Sequence, residues 1–243
     1  MRSDQRKIDE LREIGFTPDF QIHPSGSILV RFGNTRVICS VSVRDGVPKW
    51  MREQNVPGGW LTAEYQMLPG ATPERTGRDS SRLRPVGRNL EIQRLIGRSL
   101  RAVVDLKKLS SKTFYIDCDV LDADGGTRCA AITGAAVALE IALRKLFLKG
   151  AIKEWPMRER VAAVSVGVID GEVLLDLCYE EDVAAAVDMN VVMTDGDKFV
   201  EVQGTAEEAP FSQEEMDRMM KFAKHGLQDI FNLQKKVLKA YTA

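Results

Sequence analysis

Three groups of residues in this 243-residue chain have types and spacing that could do chemistry. The first is Gly125-Gly126-Thr127-Arg128, set between a strand-like run and a helix-forming segment. Unpaired amides at a helix start point at an incoming anion, glycine lets backbone approach closely, and Thr127 and Arg128 add a hydroxyl and a fixed cation. A plain turn with Thr127 as the N-cap fits the same residues. The spacing matches neither GxxxxGK(S/T) nor GxGxxG, which disfavours a P-loop NTPase or a Rossmann domain. The second group is acidic: Asp176, Glu180, Glu181, Asp182 and Asp188. Asp182 and Asp188 converge if Val183–Val187 forms a turn of helix, and such a pair suits Mg²⁺ held together with phosphate oxygens. An acidic loop fits that spacing equally well. The third group is basic. Between Gly70 and Arg101 stand eight Arg (75, 78, 82, 84, 88, 94, 98 and 101) and no Lys, against Glu74, Asp79 and Glu91, an excess of five positive charges in a chain whose total is −1. Any one of these arginines could serve a solvated helix face or a subunit contact. As a cluster they suit bidentate contacts to phosphate oxygens, and hence an anion or a nucleic acid. An anion cradle, an arginine stretch and a carboxylate pair together suit phosphoryl chemistry on a polyanion.

Other chemistries have few candidates. With only His23 and His225, histidine-based catalysis or metal binding has little to draw on. The four cysteines, at 39, 118, 129 and 178, fall in no CxxC or CxxH spacing, and Cys39 and Cys118 sit in apolar runs that read as core. At 44% hydrophobic and 28% charged, the composition is that of an ordinary globular protein. No apolar run approaches the length of a membrane span, and the charged N-terminus is no secretory signal, so a soluble, cytoplasmic protein without a membrane partner is expected.

The elements that must position these groups follow from periodicity. Gly26–Val30 and Arg36–Val43 flank Gly33-Asn34 as a hairpin, and a third strand is expected at Gly59–Leu68. Pro69 to Gly87 reads as a long loop, of a length that is usually either functional or disordered. From Asn89 to about Lys108, Ile92, Leu95, Ile96, Leu100 and Val103 recur at helical spacing, opposite Arg94, Arg98 and Arg101. A strand at Lys112–Leu121 leads through the Gly-Gly pair into a helix from about Cys129 to Phe147. Hairpins are expected again at Val161–Ile169 with Val173–Tyr179, and at Met189–Thr194 with Lys198–Gly204. A capping box at Ser212–Glu215 opens a final helix whose Met216, Met219, Met220 and Ala223 form a packing face. Hairpin, further strand and helix in each half predict an α+β fold built from a duplicated unit.

Several motifs resemble those of the bacterial RNase PH family. They are Gly59-Trp60-Leu61-Thr62-Ala63-Glu64-Tyr65; Gly87-Arg88 with Glu91-Ile92-Gln93-Arg94-Leu95-Ile96-Gly97-Arg98; Ile116-Asp117-Cys118-Asp119-Val120 with Ala123 through Arg128; Asp188-Met189-Asn190-Val191-Val192; and Glu201 through Glu207. In order, they span nearly the whole chain. The resemblance implies a single domain over 1–243, its pseudo-repeated halves meeting near 150, with the duplicated β-α fold of the RNase PH / ribosomal protein S5 domain 2-like type. It implies a phosphorolytic 3′→5′ exoribonuclease, or tRNA nucleotidyltransferase. Such an enzyme uses inorganic phosphate to trim precursor tRNA and other RNA 3′ ends, releasing nucleoside diphosphates. A homohexameric ring, a trimer of dimers, is implied as well. Carried over residue by residue, phosphate would sit on Arg88, Gly126, Thr127 and Arg128. Asp182 and Asp188 would be the catalytic pair and would hold Mg²⁺ or Mn²⁺, while Arg75, Arg78, Arg82, Arg94 and Arg98 would contact RNA. The chain departs from the usual family pattern at Gln5, where Gly is usual, at Gly70, where Arg is usual, and at Cys178, where an acid is usual. Rival readings are an exosome-like ring subunit acting as an RNA-binding scaffold, and a small-molecule kinase, for which no triphosphate-binding loop is visible.

Overall fold

The computed structural model describes residues 2, 4–78, 87–207 and 210–241. The fold starts from a helix that is apolar on every side. Residues Thr127–Leu148 form α3, and nearly every residue from Thr127 to Leu143 is buried. Small residues such as Ala130, Ala131, Gly134, Ala135 and Ala138 leave it thin enough to be packed from two directions. A helix without a polar face has to be enclosed, and here two sheets enclose it.

On one side lies a five-stranded sheet of β1 (Ile14–Pro18), β2 (Gly26–Phe32), β3 (Thr35–Asp45), β4 (Trp60–Met67) and β5 (Lys112–Asp122), in spatial order β1-β2-β3-β5-β4. All its pairings are antiparallel except β4 with β5. A parallel pair requires a crossover, and here the crossover includes α2 (Gly87–Val103), which packs on β4. On the other side, β6 (Val161–Ile169), β7 (Glu172–Leu175), β8 (Val187–Thr194) and β9 (Phe199–Ala206) form an antiparallel sheet in the order β7-β6-β8-β9. The central strand β6 is buried almost throughout because α3 covers one side and α5 (Gln213–Leu238) the other. Short helices α1 (Lys49–Glu53) and α4 (Tyr179–Ala184) complete the fold, and one apolar cluster runs through both sheets. Among the described residues no helix is long and apolar enough to cross a membrane.

Most expected elements form. The Asp170-Gly171 turn carries positive φ at both residues, as a two-residue hairpin demands. Ser212 and Glu215 make the capping box, Met219 and Ala223 are fully buried, and all four cysteines are buried free thiols. Four details differ. The α2 helix ends at Val103, because Val104 leaves to bridge Met157 and Asp105 caps a 3-10 turn. The expected strand Val173–Tyr179 stops at Leu175, where Asp176 turns to φ 55°. The helical turn near Asp182 is α4, which ends at Ala184 rather than spanning Val183–Val187. Strand β1 and helix α1, both short, carry no period long enough to announce them.

Gly26 shows how closely α3 lies on the first sheet. A Cβ there would stand 2.2 Å from the Ala138 carbonyl oxygen and 2.8 Å from the Ala142 nitrogen. Gly26→Ala is expected to cost about 1–3 kcal/mol or more through overpacking. A calorimetric midpoint unchanged by the substitution would contradict this packing.

Candidate active site

The glycine pair between β5 and α3 is shaped for close approach. Gly125 and Gly126 both have positive φ, 73° and 64°. A Cβ on Gly125 would come within 2.6 Å of the Leu177 carbonyl oxygen and the Cys178 carbonyl carbon. Only glycine therefore lets the segment before α4 rest on the start of α3. Gly126, not Thr127, is the N-cap of α3, which puts Thr127 in the first helical turn. The Tyr65 hydroxyl lies 2.8 Å from Thr127 Oγ1, and both side chains are buried. Behind the turn, Thr35 Oγ1 donates to the Gly125 carbonyl at 2.7 Å and accepts from the Asp124 N–H at 2.9 Å. Asp124 Oδ1 accepts from the Tyr179 N–H at the start of α4.

Helix α4 is held by buried arginines. Asp176, 1% exposed, accepts from the Arg12 N–H, Nε and Nη2 at 2.8, 3.0 and 2.7 Å. Its carbonyl accepts from Arg2 and Arg6. Glu181 accepts from Arg2 Nε and Nη2, both at 2.7 Å, and from the Cys178 N–H at 3.0 Å. Burial alone would raise the Glu181 carboxyl. The hydrogen bonds from Arg2 and Cys178 and the charges of Arg2 and Arg6 outweigh it and hold the group below its ordinary value. These contacts fix the helix from which Asp182 projects.

Asp188 stands on β8, opposite Gly167 of β6 and Thr205 of β9. Cys129 Sγ, on α3, donates to Asn190 Oδ1 at 3.2 Å, and Asn190 Nδ2 donates to Asp188 Oδ2 at 3.3 Å. Burial keeps the Cys129 thiol protonated and so a donor. Burial and then the charge of Asp182 push the Asp188 carboxyl up to about 6. Burial also raises Asp182, against the opposing charges of Arg88, Arg128 and Arg12. Asp188 Oδ1 is buried with no hydrogen-bond partner among the described residues. Two carboxylates set against each other, one with an orphaned oxygen, fit a hard divalent cation, which restores both ionised forms and accepts that oxygen. Among the described residues no cluster of three or more His, Cys, Asp or Glu is poised for a metal, so such an ion would take its remaining ligands from water and phosphate.

The structure therefore gathers Arg88, Gly126, Thr127, Arg128, Asp182 and Asp188 around one helix start, with the charges of Arg88 and Arg128 both acting on the two aspartates. Arg75, Arg78 and Arg94 are exposed, and Arg98 pairs with Glu201 of β9 at 2.7 Å. Arg82 lies outside the described residues. Sequence reasoning missed the supports: Arg2, Arg6 and Arg12 with Asp176 and Glu181, Tyr65 on Thr127, and Glu91 with Gln203 on Arg128. Several stand inside the quoted motifs, but nothing in their spacing names their partners. Of the three departures, Gln5 occupies a left-handed conformation at φ 62°, where glycine is favoured. A side chain at Gly70 would meet nothing within 4 Å, and Cys178 is the N-cap of α4.

Known proteins resemble the chain over nearly its whole length. Residues 10–145 match the 3′ exoribonuclease family, domain 1, and residues 159–226 match its domain 2. The chain is 55% identical over 239 residues to the ribonuclease PH of Bacillus velezensis, covering 98% of this chain and 97% of that protein. It is 52% identical over 238 residues to that of Bacillus pumilus, covering 98% of each. The fold is similar to that of rice Rrp46, with a TM-score of 0.80 at 19% identity over 98% of this chain and 100% of the other. It is also similar to a chain of the Archaeoglobus fulgidus exosome solved with RNA bound to the active site, with a TM-score of 0.75 at 21% identity over 99% and 92%.

Two stability measurements test the supports. Asp176→Asn strands the charge of buried Arg12 and is expected to cost about 3–5 kcal/mol in urea unfolding. Gln5→Gly relieves a left-handed side-chain residue and is expected to gain roughly 1 kcal/mol. An unchanged midpoint in the first variant, or a lowered one in the second, would contradict these contacts.

Proposed function

The chain belongs to the RNase PH family of 3′ exoribonucleases, and on that premise we propose how its residues divide the work of phosphorolytic 3′→5′ trimming of tRNA. The observation that carries this division is the convergence of Arg88 and Arg128 with Asp182 and Asp188 at the glycine-led start of α3.

Inorganic phosphate, the co-substrate, binds between Arg88 and Arg128 on the first amides of α3, with Thr127 offering its hydroxyl. One phosphate oxygen attacks the phosphorus of the terminal phosphodiester in line with the departing 3′-oxygen. The bond to that oxygen breaks, the terminal residue leaves as a nucleoside diphosphate, and the shortened RNA keeps a 3′-hydroxyl. Asp182 assists protonation of the leaving oxygen. A Mg²⁺ or Mn²⁺ ion on Asp182 and Asp188, when bound, supplies charge compensation to the phosphoryl oxygens. The body of the RNA rests on the arginine stretch, with Arg75, Arg78, Arg82, Arg94 and Arg98 making salt-sensitive backbone contacts. Six copies in a ring, a trimer of dimers, would surround the RNA with this stretch although each chain carries a net charge of only −1. Cytoplasmic placement, beside precursor tRNA, belongs to the same reading.

The test supplies a short RNA with a 3′ extension, Mg²⁺ and inorganic phosphate. Nucleoside diphosphates are expected, in amounts that depend on phosphate. Release of monophosphates, or indifference to phosphate, would overturn the reading. Arg88→Ala and Asp182→Asn should each abolish turnover while leaving the far-UV circular dichroism intact, and wild-type turnover in either would remove that residue from its role.

A further inference from the structure

Arg128 is held by a closed polar ring. Its Nη1 donates to Gln203 Oε1 at 2.7 Å and to Glu91 Oε1 at 3.4 Å, while Gln203 Nε2 donates to that same Glu91 oxygen at 3.0 Å. Each bond fixes the sense of the next: the Gln203 amide can serve both neighbours only with its oxygen towards Arg128. The ring joins three elements, Glu91 from α2, Arg128 from α3 and Gln203 from β9. It thereby bridges both sheets' sides of the molecule. Glu91 also stands one helical turn beyond Arg88. Tying Glu91 to Arg128 therefore sets the two arginines relative to each other.

A carboxylate beside an anion-binding arginine is costly if it acts only through charge, because it repels the anion. The geometry accounts for it differently. Both clamp bonds fall on Nη1, leaving the other edge of a planar guanidinium to face phosphate. The Arg128 side chain is 14% exposed, while that of Glu91 is 44% exposed, so a largely enclosed guanidinium is held by a carboxylate that solvent still reaches.

We propose that Glu91 and Gln203 are positioning residues that hold the Arg128 guanidinium in register for the attacking phosphate. The inference rests on the phosphate site given above. A purely electrostatic role for Glu91 predicts the opposite sign in a simple measurement, which makes the two separable.

The experiment measures KM for inorganic phosphate, KM for RNA and kcat on the full-length protein. Gln203→Met keeps length but removes both amide bonds. KM for phosphate should rise on the order of tenfold, with kcat and KM for RNA changed far less. Glu91→Ala should also raise KM for phosphate, and Glu91→Gln, which retains the acceptor oxygen, should restore it most of the way. A KM for phosphate that falls in Glu91→Ala would show charge repulsion alone and overturn the proposal. So would an unchanged KM in Gln203→Met. Glu201→Gln breaks the neighbouring α2–β9 ion pair with Arg98 without touching Arg128 and should leave KM for phosphate as in wild type. An equal rise there would reduce the clamp to a packing seam. In an Arg128→Lys background, which lacks the planar fork, Gln203→Met should add nothing further. Additive effects would contradict action through Arg128. If Arg128→Ala itself retained wild-type phosphate dependence, the phosphate site would fall. If it lost that dependence while both clamp variants kept wild-type KM, only the clamp would.

Discussion

The buried pair of Arg12 and Asp176 is the contact on which the rest of the site depends. Neither side chain is exposed by more than a few per cent, and one carboxylate accepts three hydrogen bonds from the same residue. Such a pair contributes little net stability over an apolar substitute, but each partner becomes a severe liability without the other. Its consequence here is positional. It pins the segment before β1 to the break between β7 and α4, where Arg2 and Arg6 also hold the Asp176 carbonyl and the Glu181 carboxylate. The positive φ of Asp176 ends the strand at the point where the chain must turn towards Asp182.

The two halves meet at the start of α3 because that helix has no polar side. Once α3 is enclosed by two sheets, its N-terminus is where side chains from α2, α4 and β8 come together. Gly125 lacks the Cβ that would otherwise hold Leu177 and Cys178 away, and Gly126 lacks the one that would crowd the Arg12 guanidinium. Confinement then does electrostatic work. The same burial that raises Asp182 and Asp188 removes water that would screen them from Arg88 and Arg128. A site that both repels its own second carboxylate charge and holds two arginines has the charges that the proposed cation and phosphate would meet.

The even charge balance of the chain hides a strong internal separation. Arginines gather between residues 70 and 101, whereas carboxylates gather between 176 and 188. A net value near zero therefore says little about whether a chain can bind a polyanion, because the binding field is set locally. Part of the arginine excess also makes contacts within the chain. Arg98 is paired with Glu201, and Arg101 lies 5.1 Å over the Trp60 ring while donating to the Leu61 carbonyl.

By itself, the sequence determined what local chemistry can express. The Gly33-Asn34 and Asp170-Gly171 turns, the apolar stripe of α2, the Ser212 capping box and the Gly-Gly turn into α3 each depend on residues a few positions apart, so each could be read directly. The resemblance in ordered motifs supplied Arg88, Thr127, Arg128, Asp182 and Asp188 as one set. Tertiary structure alone decided their supports. Arg12 finds Asp176 across 164 residues, Arg2 finds Glu181 across 179, and Glu91 finds Gln203 across 112. No periodicity links such partners, because their pairing is imposed by the two sheets closing on α3 and not by any local preference. Strand β1 and helix α4 were obscure for the same reason. Both are too short to carry a pattern, and β1 is secured by its neighbour β2 and α4 by the buried arginines rather than by its own propensity.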